Sequence, residues 1–144
     1  MRIRLGDILW YLTVIALVIF FVVNFYLFVF AETGTETGQF GMASYFTRQS
    51  CIKEGSSTKL ANGKELDDNS NVCGSWDYPL GSKLRVTNLE NGKVYVVEVA
   101  TRGPATRLVK SGRIIDLSKK VFRYLSNDRL DKGIIKVKVE RTEE

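Results

Sequence analysis

The sequence contains no histidine and only two cysteines among its 144 residues. Without histidine, the chain cannot form the Cys–His pair of a thiol-based catalyst. Structural and catalytic zinc sites depend mainly on Cys and His ligands, so no metal site is expected. No other cofactor is indicated by the residue pattern.

Charged residues are missing from a long N-terminal stretch. Residues 8–30 contain no Asp, Glu, Lys or Arg. As a helix, this stretch would extend about 35 Å, more than the ~30 Å hydrocarbon core of a bilayer. Arg2 and Arg4 precede it and Glu32 and Glu36 follow it, so the positive-inside rule predicts a cytoplasmic N-terminus. The sequence therefore predicts a transmembrane anchor, with the rest of the chain outside the cytoplasm.

A cleavable signal peptide is the alternative, because Val29-Phe30-Ala31 suits cleavage after Ala31. The apolar run is longer than the 7–15 residues of a usual signal-peptide core, which favours the anchor. No cysteine precedes Cys51, so a lipid-modified N-terminal cysteine is not available. The predicted organisation is a cytoplasmic stub and anchor (1–31), a flexible tether (32–40) and one compact domain (41–144).

The domain is basic, with 19 Lys and Arg against 13 Asp and Glu in residues 41–144. This excess suits an anionic polymer such as a cell wall or a membrane surface, and a merely soluble surface is equally compatible. No basic run with interleaved aromatic residues suggests nucleic acid, and nothing specifies an oligomeric state. Cys51 and Cys73 both lie in this part, and in an oxidising compartment they are predicted to form a disulfide.

The residue pattern of the domain predicts mainly β structure. An Asn-Gly turn at residues 91–92, flanked by apolar runs, is typical of a hairpin. Residues 47–71 are polar and predicted to be mostly loop, whereas residues 119–125 predict one short amphipathic helix. The predicted strands lie at 42–46, 83–89, 93–99, 114–115 and 135–139. About six short strands with one helix, in about a hundred residues, indicate a small barrel.

Asp116 lies between a buried strand and the predicted helix, and two interpretations of it stay open. Asp116 and Ser118 are residue types that cap a helix start. Burial against the strand would instead raise the pKa of the carboxyl, while helix amides would lower it, so that it could serve as an acid or base.

Several motifs, in this order, resemble the RlpA-like (rare lipoprotein A) family. They are GMASYF at 41–46, ANG at 61–63, PLGSKLRVTNLENG at 79–92, RGP at 102–104 and GRIIDLS at 112–118. The resemblance implies a six-stranded double-psi β-barrel, a fold shared with expansins and barwin-like proteins. It also implies a peptidoglycan substrate and lytic transglycosylase activity.

The chain also departs from the family pattern. It has Ala100-Thr101 where the family usually has Asn-Asp, and Ser75 where the family usually has His. The resemblance therefore implies an active site that has lost two of its usual residues. Asp116 matches the aspartate of the family's Ile-Asp-Leu-Ser motif and is predicted to be the catalytic carboxylate.

The remaining predicted site residues would hold the sugar, and each has a structural alternative. Ser44 and Tyr45 are otherwise ordinary strand residues, and Asp67 is otherwise a turn former. Arg102 would bind the carboxylate of a muramic sugar or anchor the Arg-Gly-Pro turn. Three functions stay open: a lytic transglycosylase using a single carboxylate, an expansin-like glycan-binding or wall-loosening module without catalysis, and an interaction scaffold.

Overall fold

The computed structural model describes residues 5–32 and 38–142, and the side chains of residues 6–26 and 38–142. These residues form two units, an N-terminal helix and a β-barrel. Most of the predicted tether, and the predicted cytoplasmic residues 1–4, lie outside the described residues. The last two residues of the predicted tether, Gln39 and Phe40, belong to the first barrel strand.

The N-terminal helix, α1, spans Leu5–Glu32. Residues Gly6–Tyr26 within it are long and apolar enough to cross a membrane. A signal sequence near an N-terminus can also meet this criterion of length and composition.

Six strands close into a barrel in the order β1-β5-β2-β4-β3-β6. They are β1 (Gln39–Phe46), β2 (Val72–Gly74), β3 (Lys83–Asn88), β4 (Val94–Thr101), β5 (Arg113–Ser118) and β6 (Ile135–Arg141). The pairs β1–β5 and β2–β4 are parallel and the other four pairs are antiparallel. Exchanging β1, β2 and β3 with β4, β5 and β6 leaves this set of pairs unchanged. The barrel therefore consists of two similar interlocked halves, which is the predicted double-psi arrangement.

Alternating apolar residues of the strands fill the barrel interior, as expected for strands with one buried face. Leu84 and Val86 of β3 are fully buried, and so is Leu117 of β5. A short helix, α4 (Lys119–Leu125), adds the buried side chains Val121, Phe122 and Leu125 to this core. The predicted bounds of this helix are confirmed.

The hairpin between β3 and β4 is confirmed at the predicted Asn-Gly turn. Gly92 has a positive φ of 71°, a conformation that favours glycine. The side-chain amides of Asn88 and Asn91 both donate to the carbonyl oxygen of Leu125, at 2.8 Å. The turn therefore satisfies a carbonyl group at the end of α4, one of those that a helix end leaves without a partner.

Two further short α-helices correct the prediction of a single helix, and a 3-10 turn spans Leu130–Lys132. The first, α2 (Arg48–Lys53), lies in the stretch predicted to be loop. Thr47 and Ser50 form a capping box at its start, with the side chain of each accepting from the backbone N–H of the other. The second, α3 (Thr106–Val109), is a single turn between β4 and β5.

Candidate functional site

A groove of about 310 Å³ lies on the barrel surface between α2, the segment after β4, and the strands β1 and β5. Its lining includes two carboxylates, Glu54 and Asp116, and three cations, Lys59, Arg102 and Arg113. A concave site with a few converging polar groups is the usual form of a ligand-binding site.

Strand register places four residues in one row across the groove floor. Thr101 of β4 is paired with Gly74 of β2, Gly74 with Asp116 of β5, and Asp116 with Ser44 of β1. Residues paired in this way project from the same face of a sheet. Gly74 has no side chain, and a Cβ atom there would lie 3.2 Å from Cγ2 of Thr101. The glycine therefore keeps the groove open between Thr101 and Asp116.

Asp116 is half-buried at the centre of this row. Burial raises the pKa of its carboxyl above the ordinary value, because desolvation disfavours the charged form. A hydrogen bond donated by the Ser44 hydroxyl to Oδ1 and the charge of Arg113 lower the pKa in part, whereas Glu54 raises it. The net shift is upward, so this carboxyl retains its proton at a higher pH than an exposed aspartic acid.

Asp116 is not the capping residue of α4. It lies within β5, and the N-cap position of α4 is Ser118. The Ser118 hydroxyl donates at 2.6 Å to the carbonyl oxygen of Ser70, and its side chain makes no capping hydrogen bond to described residues of the helix. The Asp116 side chain faces the groove instead.

Three of the four predicted sugar-holding residues line the groove with Asp116: Ser44, Tyr45 and Arg102. The Tyr45 ring packs on Phe122, with ring centroids 4.7 Å apart. Nη1 of Arg102 donates to the carbonyl oxygens of Ser75 at 3.1 Å and Tyr78 at 2.8 Å. Arg102 therefore fixes the loop that follows β2 while also lining the groove.

Asp67, the fourth predicted residue, does not line the groove. It is exposed, and its Oδ1 accepts a hydrogen bond of 2.9 Å from the backbone N–H of Asn69. Its carbonyl oxygen accepts from the N–H and hydroxyl of Ser70. In the structure Asp67 forms a turn, which is the second of the two interpretations given for it above.

Three charged groove residues were missed by sequence reasoning: Arg113, Glu54 and Lys59. Lys59 lies in the stretch 47–71, which was predicted to be mostly loop. A regular strand would place Arg113 and Asp116 on opposite faces, because they are three residues apart. The register between β1 and β5 shifts at Ile114, where β5 contains one additional residue. Such a bulge re-aims side chains and brings Arg113 to the groove. Glu54 was missed because it follows α2, a helix that the sequence analysis did not predict.

The predicted disulfide is not confirmed, since Cys51 and Cys73 are free thiols in the structure. Cys73 is fully buried in the barrel core, whereas Cys51 lines the groove and packs on a separate apolar cluster around Leu60 and Leu66. Burial raises the pKa of both thiols, most strongly that of Cys73. Within the described residues, no three His, Cys, Asp or Glu side chains are grouped to hold a metal ion.

The chain is similar to several curated proteins over its barrel, although no model of a known protein family matches it. A relative from Nostoc sp., named "Probable endolytic peptidoglycan transglycosylase RlpA", is 32% identical over 69% of this chain and 24% of its own length. The endolytic peptidoglycan transglycosylase RlpA of Yersinia pestis is 38% identical over 56% of this chain and 20% of its own length. The matched part is thus about a fifth to a quarter of these relatives.

A shorter relative, an uncharacterized protein of Synechocystis sp., is 35% identical over 58% of this chain and 81% of its own length. Among solved structures, the Streptomyces papain inhibitor matches with a TM-score of 0.53 and 21% identity, over 74% of this chain and 96% of the inhibitor. This likeness concerns the fold alone and supports the double-psi barrel. The closed six-stranded unit of this chain is therefore an RlpA-like double-psi β-barrel.

Proposed function

We propose that the barrel processes the glycan strands of peptidoglycan, with Asp116 as a general acid and base. The observation that carries this proposal is the position of Asp116: half-buried, hydrogen-bonded to Ser44, and open to a groove lined by cations. A raised pKa suits a carboxyl group that must donate a proton near neutral pH. The names of the transglycosylase relatives supply the substrate class.

A single carboxylate is sufficient for lytic transglycosylation, in which the sugar supplies its own nucleophile. Asp116 gives its proton to the glycosidic oxygen as the bond from that oxygen to the anomeric carbon breaks. A hydroxyl group of the same sugar then bonds to the anomeric carbon, and its proton passes to the Asp116 carboxylate. The enzyme returns to its starting state, and an anhydro-sugar is the product.

The cations of the groove suit a carboxylate-bearing glycan. Arg113 and Lys59 line the groove, and within the described residues neither side chain makes a hydrogen bond or ion pair, although the charge of Arg113 acts on Asp116. Both remain available for the acidic groups of muramic sugars or their peptides. Arg102 is less available to a ligand, because its Nη1 already donates hydrogen bonds to two loop carbonyl oxygens.

A glycan-binding module without catalysis is the second candidate function. It is favoured by Thr101 and Ser75, which stand where the family usually has Asp and His. Thr101 lies in the same row as Asp116, and Ser75 is buried with its N–H bonded to the carbonyl oxygen of Thr101 at 3.2 Å. Both departures lie next to Asp116, so binding could persist after turnover was lost.

The test is incubation of the full chain, in detergent micelles, with purified peptidoglycan. Sedimentation of protein with the insoluble glycan measures binding, and analysis of the soluble fraction measures anhydro-sugar release. Asp116→Asn should bind but release nothing, while Asp67→Asn, changed outside the groove, should behave as the unchanged protein. Binding without release by the unchanged protein would leave only the second function, and neither binding nor release would refute both.

We also propose that α1 anchors the barrel to a membrane, with the barrel outside the cytoplasm. The apolar span Gly6–Tyr26 and the charge difference across it support this location. Sequencing the N-terminus of the protein from its native host tests the proposal. A mature chain that begins at Glu32 would show cleavage instead.

A further inference from the structure

An exposed tryptophan lies in the loop after β2, next to the groove. The side chain of Trp76 is 53% exposed, although a tryptophan ring normally contributes most when buried. Its indole N–H donates to the carbonyl oxygen of Pro104 at 2.7 Å. The polar group of the ring is thus satisfied, while much of its apolar surface faces solvent.

Several contacts fix this loop before any ligand binds. Arg102 donates to the carbonyl oxygens of Ser75 and Tyr78, on either side of the tryptophan. The Asp77 carboxylate accepts from Nε2 of Gln39 at 2.9 Å. A ring held in place loses little conformational freedom on binding, which favours affinity.

The contact with Pro104 locates the ring relative to the groove. Pro104 lies between Gly103 and Ala105, and both of these line the groove. A Cβ atom on Gly103 would lie 3.5 Å from Oδ2 of Asp116. The ring is therefore bonded to the same turn that forms the groove wall beside Asp116.

We propose that Trp76 is a stacking platform for one sugar ring of the glycan strand, at the rim of the groove. One face of a pyranose ring presents C–H groups, which pack on the flat apolar face of an indole. The inference rests on the proposed function, since the same strand would reach Asp116 and the platform together. Trp76 would position the strand and would take no part in proton transfer.

Fluorescence can test the platform directly, because Trp10 and Trp76 are the only tryptophans of the chain. The full chain with Trp10→Phe and Asp116→Asn, in detergent micelles, reports on Trp76 alone and does not consume the ligand. Addition of solubilised, uncrosslinked peptidoglycan strands should shield Trp76 from acrylamide and lower the quenching constant at least twofold. Unchanged quenching, when sedimentation with whole peptidoglycan shows binding, would overturn the platform.

Substitution provides the second measurement. With Asp116→Asn as the common background, Trp76→Ala should weaken glycan binding about tenfold, and Trp76→Phe should retain most of it. Phe40→Ala is the matched control, since Phe40 is also exposed, at 65%, but lies outside the groove lining.

Three outcomes separate the two proposals. Equal loss of binding in Trp76→Ala and Phe40→Ala would overturn the platform alone, as would no loss in either. Absence of binding by the chain with Trp76 intact would refute the proposed function and the platform with it. Should Trp76→Ala fail to fold, as judged by its thermal unfolding, the quenching measurement decides, because it leaves Trp76 in place.

Discussion

Ser44 and Asp116 are register partners in the parallel pair β1–β5, and the Ser44 hydroxyl donates a hydrogen bond to Oδ1 of Asp116. Ser44 is almost completely buried, whereas Asp116 keeps an open side toward the groove. The two residues are 72 positions apart in the sequence. The closing of the barrel therefore places a hydroxyl donor beside a carboxyl whose pKa is raised by burial.

Removal of this donor by Ser44→Ala should raise the pKa of Asp116 further, because the hydrogen bond favours the ionised carboxylate. The free energy of unfolding at neutral pH should fall by about 1–2 kcal/mol. Urea unfolding measures the loss, and the ¹³C shift of the carboxyl carbon measures the pKa. In an Asp116→Asn background, Ser44→Ala should lower the free energy of unfolding by less than it does alone. Fully additive losses in the double variant would contradict the coupling between Ser44 and Asp116.

Asp116 should make the stability of the barrel depend on pH. Its pKa in the folded chain is raised above the ordinary 3.8, so its favourable contribution is complete below that value and is lost as pH rises through the folded pKa. Asp116→Asn cannot titrate, so its stability relative to the unchanged protein should increase between about pH 3 and about pH 7. Urea unfolding across this range is the measurement.

Asp128→Asn is the control, because its relative stability should change with pH in the opposite direction. Asp128 is exposed, and its hydrogen bond from Arg123 lowers the pKa of its carboxyl. Its contribution is present above the unfolded pKa and is lost as pH falls, so this variant should become relatively less stable toward neutral pH. Parallel trends in Asp116→Asn and Asp128→Asn would show that burial does not control Asp116.

Local chemistry made part of this structure predictable. Asn91 and Gly92 specify their turn through their own backbone preferences, and the alternation of apolar residues in β6 gives its buried face. The helix α2 was missed because its six residues include no fully buried side chain, so no apolar period marks it. Its capping residues, Thr47 and Ser50, were the available signal.

A site residue could be predicted from the sequence only where it belongs to a single strand or motif, and not where its position depends on how strands pair. Asp116 and Ser44 are each part of a quoted motif, but their hydrogen bond depends on strand register across the barrel. Arg113 depends on the bulge at Ile114, which no local pattern indicates. Cys51 and Cys73 likewise pack with two separate clusters, an arrangement that cysteine counting cannot detect.

Arg102→Ala should loosen the loop after β2, because the carbonyl oxygens of Ser75 and Tyr78 both lose their donor. We expect a loss of about 1 kcal/mol in the free energy of unfolding, the usual contribution of such bonds near the surface. Arg102→Lys should lose nearly as much, since the shorter lysine side chain does not place its ammonium group where Nη1 donates to both carbonyls. In a Trp10→Phe background, the emission of Trp76 should shift to longer wavelength in both variants. Full stability with impaired glycan binding would instead indicate that Arg102 acts mainly on the ligand.

Thr101→Asp should restore a second carboxylate to the groove floor. Thr101 is half-buried and paired with Gly74, which is paired in turn with Asp116, so the new charge would lie on the same face as Asp116. Like charges at short range disfavour ionisation, so the pKa of Asp116 should rise further. If the missing aspartate limits turnover, release of anhydro-sugars from peptidoglycan should increase by about a hundredfold, a typical contribution of a general acid or base. Thr101→Asn is the matched control, with similar shape and no charge, and should leave release unchanged. An equal rate of release in Thr101→Asp and Thr101→Asn would show that the absence of a carboxylate at position 101 does not limit turnover.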